Sequence, residues 1–190
     1  NGSGSFNTYS NLVLPNGPST GKSGFMNDDT KLDLVTLHPN LNTVFIYFGN
    51  GDGTFSQFTN ITTGTYPVSV SLVDLNQDLK QEIVTANRRS NNVSIFLSNG
   101  NGTFAERVDY TTGNLPISVA VSDFNSDGKQ DLLILSSKSS VIVALAGNGD
   151  GTFVSNEKFK TNGFPDLPEG YPWSITSADF NQDLKQDIVT

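Results

Sequence analysis

The sequence has no cysteine and one histidine, so a disulfide framework, a cysteine-ligated zinc site and Cys–His or Ser–His nucleophilic catalysis have no support. The histidine, His38, precedes Pro39, and we expect it in a loop between strands, not as a metal ligand or a catalytic base. No apolar run approaches the roughly 18 residues that cross a bilayer. A formal net charge of −8 argues against nucleic acid and anionic membrane surfaces as partners.

Helical periodicity is also missing, and short alternating segments take its place. Val68, Val70 and Leu72 alternate with serines, which predicts a strand with one buried face. An apolar run follows over 83–86, and two further strands are predicted over 93–97 and 107–111. The 18 glycines suit tight turns between such strands. The sequence therefore predicts an all-β fold.

A 49-residue repeat organises these strands. The motif Gly-Asp/Asn-Gly-Thr-Phe ends at Phe55, Phe104 and Phe153, and a weaker version ends at Phe6. The regular spacing predicts that these phenylalanines lie in the core. Four short strands in one repeat of this length are typical of a β-propeller blade, since known propeller repeats run about 40–50 residues.

We therefore predict a β-propeller of four-stranded antiparallel blades, forming one partial domain over residues 1–190. Its repeats run approximately over 7–55, 56–104, 105–153 and 154–190. Propellers usually carry about 4–8 blades, and the last repeat here lacks its third strand. We expect further blades from a longer chain or, as the alternative, from a second copy.

An acidic nine-residue motif recurs with the repeat. We name its copies loop A (25–33), loop B (74–82), loop C (123–131) and loop D (179–187). Loops A, B and C are spaced by 49 residues, and an insertion around 165–170 displaces loop D by seven more. In loop A, Phe25 replaces the leading aspartate. Positions 1, 3, 5, 7 and 9 of the motif can each supply an oxygen atom. The residues are Asp74, Asp123 and Asp179 at position 1; Asn27, Asn76, Asn125 and Asn181 at position 3; Asp29, Asp78, Asp127 and Asp183 at position 5; Lys80, Lys129 and Lys185 at position 7; and Asp33, Glu82, Asp131 and Asp187 at position 9.

This spacing favours Ca²⁺, which takes about six to eight oxygen ligands at roughly 2.3–2.6 Å. Side chains at positions 1, 3, 5 and 9 and the backbone carbonyl at position 7 can surround one ion. The alternative is that Asp and Asn serve only as turn residues, but recurrence of all four side-chain ligands in three loops favours metal. Position 6 turns through positive φ in such loops, where Gly128 fits and Leu79 and Leu184 would be strained. Three bound Ca²⁺ would bring the formal charge from −8 to −2.

The repeat resembles the FG-GAP/VCBS-type calcium-binding repeats, which form the propeller blades of integrin α-subunits and of many secreted or surface proteins. The resemblance covers essentially the whole chain, and its most specific element is loop C. The Phe-Gly pair occurs as Phe48-Gly49, and we align it with Leu97-Ser98 and Leu145-Ala146. The resemblance implies that calcium loops hold the blades rigid while other loops bind the ligand.

These observations predict a calcium-stabilised extracellular propeller that binds a protein or glycan ligand in recognition or adhesion, without catalysis of its own. Two alternatives stay open: a sugar-specific lectin with pockets between blades, near Tyr66, Leu115 and Tyr171, and a non-catalytic propeller attached to a secreted enzyme. Sequons that a secreted glycoprotein could modify, unless they occur by chance, stand at Asn1, Asn60, Asn92 and Asn101.

Overall fold

The computed structural model of this chain describes residues 12–14, 17–138, 141–160, 174–183 and 185–190. The predictions for Asn1, Phe6, Tyr171 and Leu184 therefore lie outside the described residues. Within them the ordered structure consists of β-strands and one short 3₁₀ turn, Pro39–Leu41, with no α-helix. The prediction of an all-β fold is confirmed.

In the described residues, fourteen strands form three antiparallel sheets of four strands and one sheet of two strands. Sheet 1 comprises β1 (Thr20–Gly24), β2 (Asp33–His38), β3 (Thr43–Gly49) and β4 (Phe55–Thr62). Sheet 2 comprises β5 (Pro67–Val73), β6 (Glu82–Asn87), β7 (Asn92–Phe96) and β8 (Val108–Thr111). Sheet 3 comprises β9 (Pro116–Ser122), β10 (Asp131–Ser136), β11 (Val141–Gly147) and β12 (Phe153–Lys160). Sheet 4 comprises β13 (Thr176–Ala178) and β14 (Asp187–Val189).

Strand order within each complete sheet follows the chain order. The first strands of successive sheets contact one another, β1 with β5, β5 with β9 and β9 with β13. They therefore form the shared inner edge of the assembly, as in a propeller. Because the repeat in the sequence runs from one recurring phenylalanine to the next, each repeat spans the fourth strand of one sheet and the first three of the next.

The core lies between neighbouring sheets. One cluster joins Val35 and Ile46 of sheet 1 to Val70, Ile83 and Phe96 of sheet 2. A second cluster joins sheets 2 and 3 in the same way. The second strands, β6 and β10, are buried along their whole length because a sheet covers each of their faces. This explains why the middle of β10, residues 132–135, is a continuous apolar run and not an alternating one.

Two details differ from expectation. His38 is the last residue of β2 and not a loop residue; it is fully buried, and its Nε2 lies 2.9 Å from the Thr36 hydroxyl. Of the recurring phenylalanines, Phe153 is buried in the core, whereas Phe104 and Phe55 are only half-buried.

No helix among the described residues is long and apolar enough to span a membrane.

Candidate metal centre

All four acidic loops lie at one end of the sheets. Each loop joins the first strand of its sheet to the second strand, as loop B joins β5 to β6. Since adjacent strands are antiparallel, the glycine-rich turns between third and fourth strands lie at this same end. We call it the loop end, and the other end the opposite end.

The side chains at positions 1, 3 and 5 turn back onto their own loop in the same way in each copy. In loops B, C and D the position-1 carboxylate accepts the backbone N–H of position 5 at 3.2, 3.0 and 3.1 Å. The position-3 amide oxygen accepts that same N–H at 3.2, 2.9 and 2.9 Å. The position-5 carboxylate accepts the N–H of position 7 at 3.0, 3.0 and 2.9 Å. These bonds preorganise the loop around its oxygen atoms.

The carboxylate at position 9 ties the loop to the rest of its sheet. In loop C, Asp131 accepts the backbone N–H of Phe124 at 3.0 Å and that of Gly147, at the end of the third strand, at 2.9 Å. Loop A repeats both bonds through Asp33, whose second donor is Gly49. The position is buried, which is why a carboxylate there needs two donors.

These hydrogen bonds also correct one alignment. Gly49 and Gly147 are both 16 residues beyond a position-9 carboxylate and bond to it identically. The Phe48-Gly49 pair therefore corresponds to Ala146-Gly147 in sheet 3, and the alignment with Leu145-Ala146 was wrong by one residue.

Loop B is where the structure gathers three carboxylates. Oxygen atoms of Asp74, Asp78 and Glu82 all lie within 4.8 Å of one another, and in the part of the chain that the structure describes no other group of three meets this spacing. Two ligands on opposite sides of one Ca²⁺ are separated by about 4.6–5.2 Å. The three carboxylates and the neighbouring Asn76 are all hard oxygen donors. The donor set and its spacing therefore fit a Ca²⁺ ion.

Electrostatics at Glu82 agree with this reading. Its side chain is fully buried. Burial raises the pKa of Glu82, the backbone N–H groups of Leu75 and Ser98 act to lower it, and the charges of Asp78 and Asp74 raise it further. The net shift is upward. A cation placed among the three carboxylates would relieve both the burial cost and the repulsion.

Left-handed backbone recurs at two positions of the acidic loops. Position 6 has φ of 67° at Leu79 and 82° at Gly128, as expected from the sequence, and 60° at Thr30 of loop A. Position 4 is also left-handed in loops B, C and D, at Gln77, Ser126 and Gln182, with φ of 61–64°. The sequence analysis missed position 4, because glutamine and serine give no turn signal of the kind that glycine gives.

Neighbouring loops contact one another directly. The side-chain amide of Gln77 in loop B donates to the backbone carbonyl of Gly128 in loop C at 2.9 Å. Gln81 of loop B accepts the backbone N–H of Phe25 in loop A at 2.8 Å. Loop A thus replaces the missing aspartate with a phenylalanine whose backbone is held by the next loop and whose side chain is 49% exposed.

The opposite end has its own repeated latch between sheets. Asn42, after β2, accepts the backbone N–H of Tyr66 at 2.8 Å, and Asn91, after β6, accepts that of Leu115 at 2.9 Å. All four residues have positive φ, between 53° and 58°. In the first junction the guanidinium of Arg89 lies over the Tyr66 ring, 4.2 Å from its centroid.

Comparison with known sequences identifies the repeat. The sequence model of the FG-GAP-like repeat matches residues 26–85, 74–134 and 123–190. The three matches overlap, and each spans two successive acidic loops: A and B, B and C, and C and D. No curated protein sequence matches the chain significantly.

Solved structures resemble the chain in fold. The crystal structure of BBS1N in complex with ARL6DN matches with a TM-score of 0.57 and 12% sequence identity, over 87% of this chain and 48% of that chain. This chain therefore spans about half the length of that one. The pore structure of a Photorhabdus luminescens Tc holotoxin matches with a TM-score of 0.39 and 14% identity, over 84% of this chain and 10% of that chain. The first likeness, with the four-stranded sheets around a shared inner edge, shows a β-propeller fold.

Proposed function

This chain belongs to the FG-GAP-like repeat family, and from that premise we propose that it is a calcium-stabilised propeller that recognises a protein or glycan ligand outside the cell. The observation that carries the calcium assignment is the group of Asp74, Asp78 and Glu82 within 4.8 Å. Asn76 and the Lys80 carbonyl would complete that shell. Loops C and D present the same residue types at the same positions and are proposed as further sites.

Calcium bound in loop B would act on the fold and not on a reaction. Its ligands come from the end of β5, the loop and the start of β6, so that one ion fixes the geometry between two strands. A single site that binds at a ligand concentration of 100 times its Kd adds about 2.7 kcal/mol to the free energy of unfolding. Such a contribution is large beside a typical domain stability of about 5–15 kcal/mol.

Recognition, and not catalysis, is the function that the loops support. The acidic side chains recur in phase with the repeat and bond their own loops, which leaves no distinct acid–base pair among the described residues. An extracellular setting is supported only by the proposed metal. Calcium sites of modest affinity, about 10⁻⁴–10⁻³ M, fill where Ca²⁺ is millimolar.

Glycan attachment is proposed at the exposed Asn60 and Asn101. At Asn92 the side-chain oxygen already accepts bonds from Asn87 and Ser90.

Of the three positions that the lectin alternative names, the structure describes Tyr66 and Leu115, and neither offers a sugar a fully accessible aromatic ring. A sugar ring bound there would stack on the face of Tyr66, but the Arg89 guanidinium already covers one face of that ring. At the equivalent position of the next junction stands Leu115, which offers no aromatic face.

Thermal unfolding in millimolar Ca²⁺ and in excess chelator tests the calcium assignment. We expect a clear fall in Tm on chelation, and a smaller fall for Asp78→Asn because that variant removes one ligand of loop B. Asp52→Asn is the matched control, since its carboxylate lies in the turn after β3 and bonds Thr54 instead of facing a loop centre. Equal Tm values of the wild-type protein in both solutions would contradict the assignment. A pull-down and a glycan array, both in Ca²⁺, test recognition.

A further inference from the structure

The two ends of this chain differ in their acidic residues, while the lysines Lys31, Lys80, Lys129 and Lys185 share the loop end with the carboxylates. At the loop end stand the carboxylates of loops A to D. At the opposite end the described loop residues, 39–42, 63–66, 88–91, 112–115 and 137–138, contain no acidic residue and three cationic ones, Arg88, Arg89 and Lys138. In a chain of formal net charge −8, these described loop residues therefore carry a formal charge of +3.

The two arginines follow β6 at the junction between sheets 1 and 2, where Arg88 is half-buried and Arg89 is exposed. The backbone N–H of Arg88 donates to Tyr66 at 2.9 Å, and that of Arg89 donates to Thr65 at 3.0 Å. A third arginine, Arg107, approaches the same junction and donates to the carbonyl of Thr63 at 2.6 Å. Arg107 is already paired with an aspartate of its own strand. Among the described residues neither Arg88 nor Arg89 forms an ion pair.

The stacking of Arg89 on Tyr66 prepares its guanidinium for an anion. A guanidinium held over an aromatic ring by cation–π attraction keeps N–H groups that can bind a carboxylate through two parallel hydrogen bonds. Tyr66 is itself fixed, because its backbone N–H is bonded to Asn42 and its φ is 58°. The backbone that carries the Tyr66 ring is thus held by a hydrogen bond to the neighbouring sheet.

The next junction supplies an internal comparison. The latch and the positive φ recur there, at Asn91 and Leu115, so both belong to the architecture of every described junction. The aromatic ring and the stacked arginine do not recur, since their counterparts are Leu115 and Lys138. What distinguishes the first junction is therefore its side-chain chemistry and not its backbone.

The acidic loops do not cancel this local charge. Glu82 begins β6 and Arg88 follows its end, and a six-residue strand is about 20 Å long. Charges in solution are screened over about 8 Å at physiological ionic strength. An approaching ligand at the opposite end therefore meets the arginines and not the distant carboxylates.

We propose that the surface formed by Tyr66, Arg88 and Arg89 binds an acidic polypeptide segment of a partner protein, through carboxylates held by the two guanidinium groups. This inference rests on the proposed recognition function and names its surface and partner chemistry. An acidic polypeptide is favoured over a neutral sugar because the guanidinium groups offer charge to carboxylates, and Arg89 already covers one face of the Tyr66 ring.

Fluorescence anisotropy with a labelled octaglutamate peptide, in saturating Ca²⁺, tests the proposal. We expect binding that weakens as salt is raised, and at least about tenfold weaker binding by an Arg88→Ala/Arg89→Ala double variant, since each lost charge-assisted hydrogen bond is worth about tenfold in affinity. Arg89→Lys keeps the charge but loses the planar fork, and its affinity falls between those of the wild type and the double variant. Lys22→Ala, which removes an exposed cation on β1, leaves the affinity unchanged and is the matched control.

Three results would overturn the proposal: no binding of octaglutamate by the wild-type protein, equal losses in Lys22→Ala and the double variant, or tighter binding of a heparin-derived oligosaccharide at the same arginines, which would make a sulfated glycan the ligand. Melting curves of each variant show that it is folded. Because the peptide assay and the chelation assay are separate, failure of octaglutamate binding with intact calcium stabilisation overturns only this inference. Peptide binding without calcium stabilisation overturns only the calcium assignment.

Discussion

Ser98 donates its backbone N–H to Glu82 over 3.4 Å, whereas Gly147 makes the corresponding bond to Asp131 at 2.9 Å. The difference in hydrogen-bond length is connected with the difference in the two residues that form the bond. A Cβ atom on Gly147 would lie 2.1 Å from the carbonyl oxygen of Gln130, so a side chain there requires the third strand to move outward. In sheet 2, where serine stands at this position, the carboxylate on the neighbouring strand belongs to glutamate, whose side chain is longer than that of aspartate.

This pairing predicts the result of a double-mutant cycle in sheet 3. Gly147→Ser should lower the free energy of unfolding by about 3 kcal/mol, because its Cβ meets a backbone atom that cannot rotate away. Adding Asp131→Glu should restore at least about 1 kcal/mol, since the longer side chain can span the widened gap. Urea unfolding of the wild type, both single variants and the double variant measures the interaction energy. Strict additivity of the two substitutions would show that they are independent.

Position 6 of loop B carries backbone strain that a single substitution can remove. Leu79 has φ of 67°, and its side chain is 94% exposed, so it contributes no packing. A left-handed residue other than glycine costs about 1–2 kcal/mol, while glycine loses about 0.5–1 kcal/mol through its more flexible unfolded chain. Leu79→Gly should therefore raise the free energy of unfolding by about 0.5–1 kcal/mol. The reciprocal Gly128→Leu should lower it, and both are measured in urea without Ca²⁺. A destabilised Leu79→Gly would contradict the strain argument.

The latch at the opposite end predicts a second, separable loss. Asn91→Ala removes the acceptor for the Leu115 N–H and places alanine at φ of 54°. We expect the free energy of unfolding to fall by about 2–3 kcal/mol, as the sum of a lost hydrogen bond and a left-handed alanine. Asn91→Gly removes the hydrogen bond without left-handed strain and adds the flexibility of glycine, so it should cost about 1.5–2 kcal/mol. Equal losses in the two variants would assign the whole effect to the amide side chain.

Much of this fold can be predicted from the sequence, because the sequence patterns that indicate it are local and recur in each repeat. The alternation at Val68–Leu72 and the 49-residue spacing identify the strands and the acidic loops without reference to distant contacts. The relationships between strands are not readable in this way. That position 9 bonds a residue 16 positions later, or that Gln77 reaches Gly128, depends on how strands and sheets pack. His38 shows the same limit, since a neighbouring proline suggests a loop while the packing of sheet 1 buries it.

Sheet 1 should lose stability at alkaline pH through Tyr47. Its side chain is buried on β3, and burial raises its pKa while a hydrogen bond with Thr36 acts in the opposite direction. A folded-state pKa above the unfolded value, about 10, means that stability is fully present below pH 10 and is lost as the pH rises through the folded pKa. Chemical unfolding at a series of pH values from neutral to strongly alkaline, in Ca²⁺, should show this decline. Tyr47→Phe removes the titrating group and should flatten the curve in this range; an unchanged slope in that variant would assign the decline to other residues.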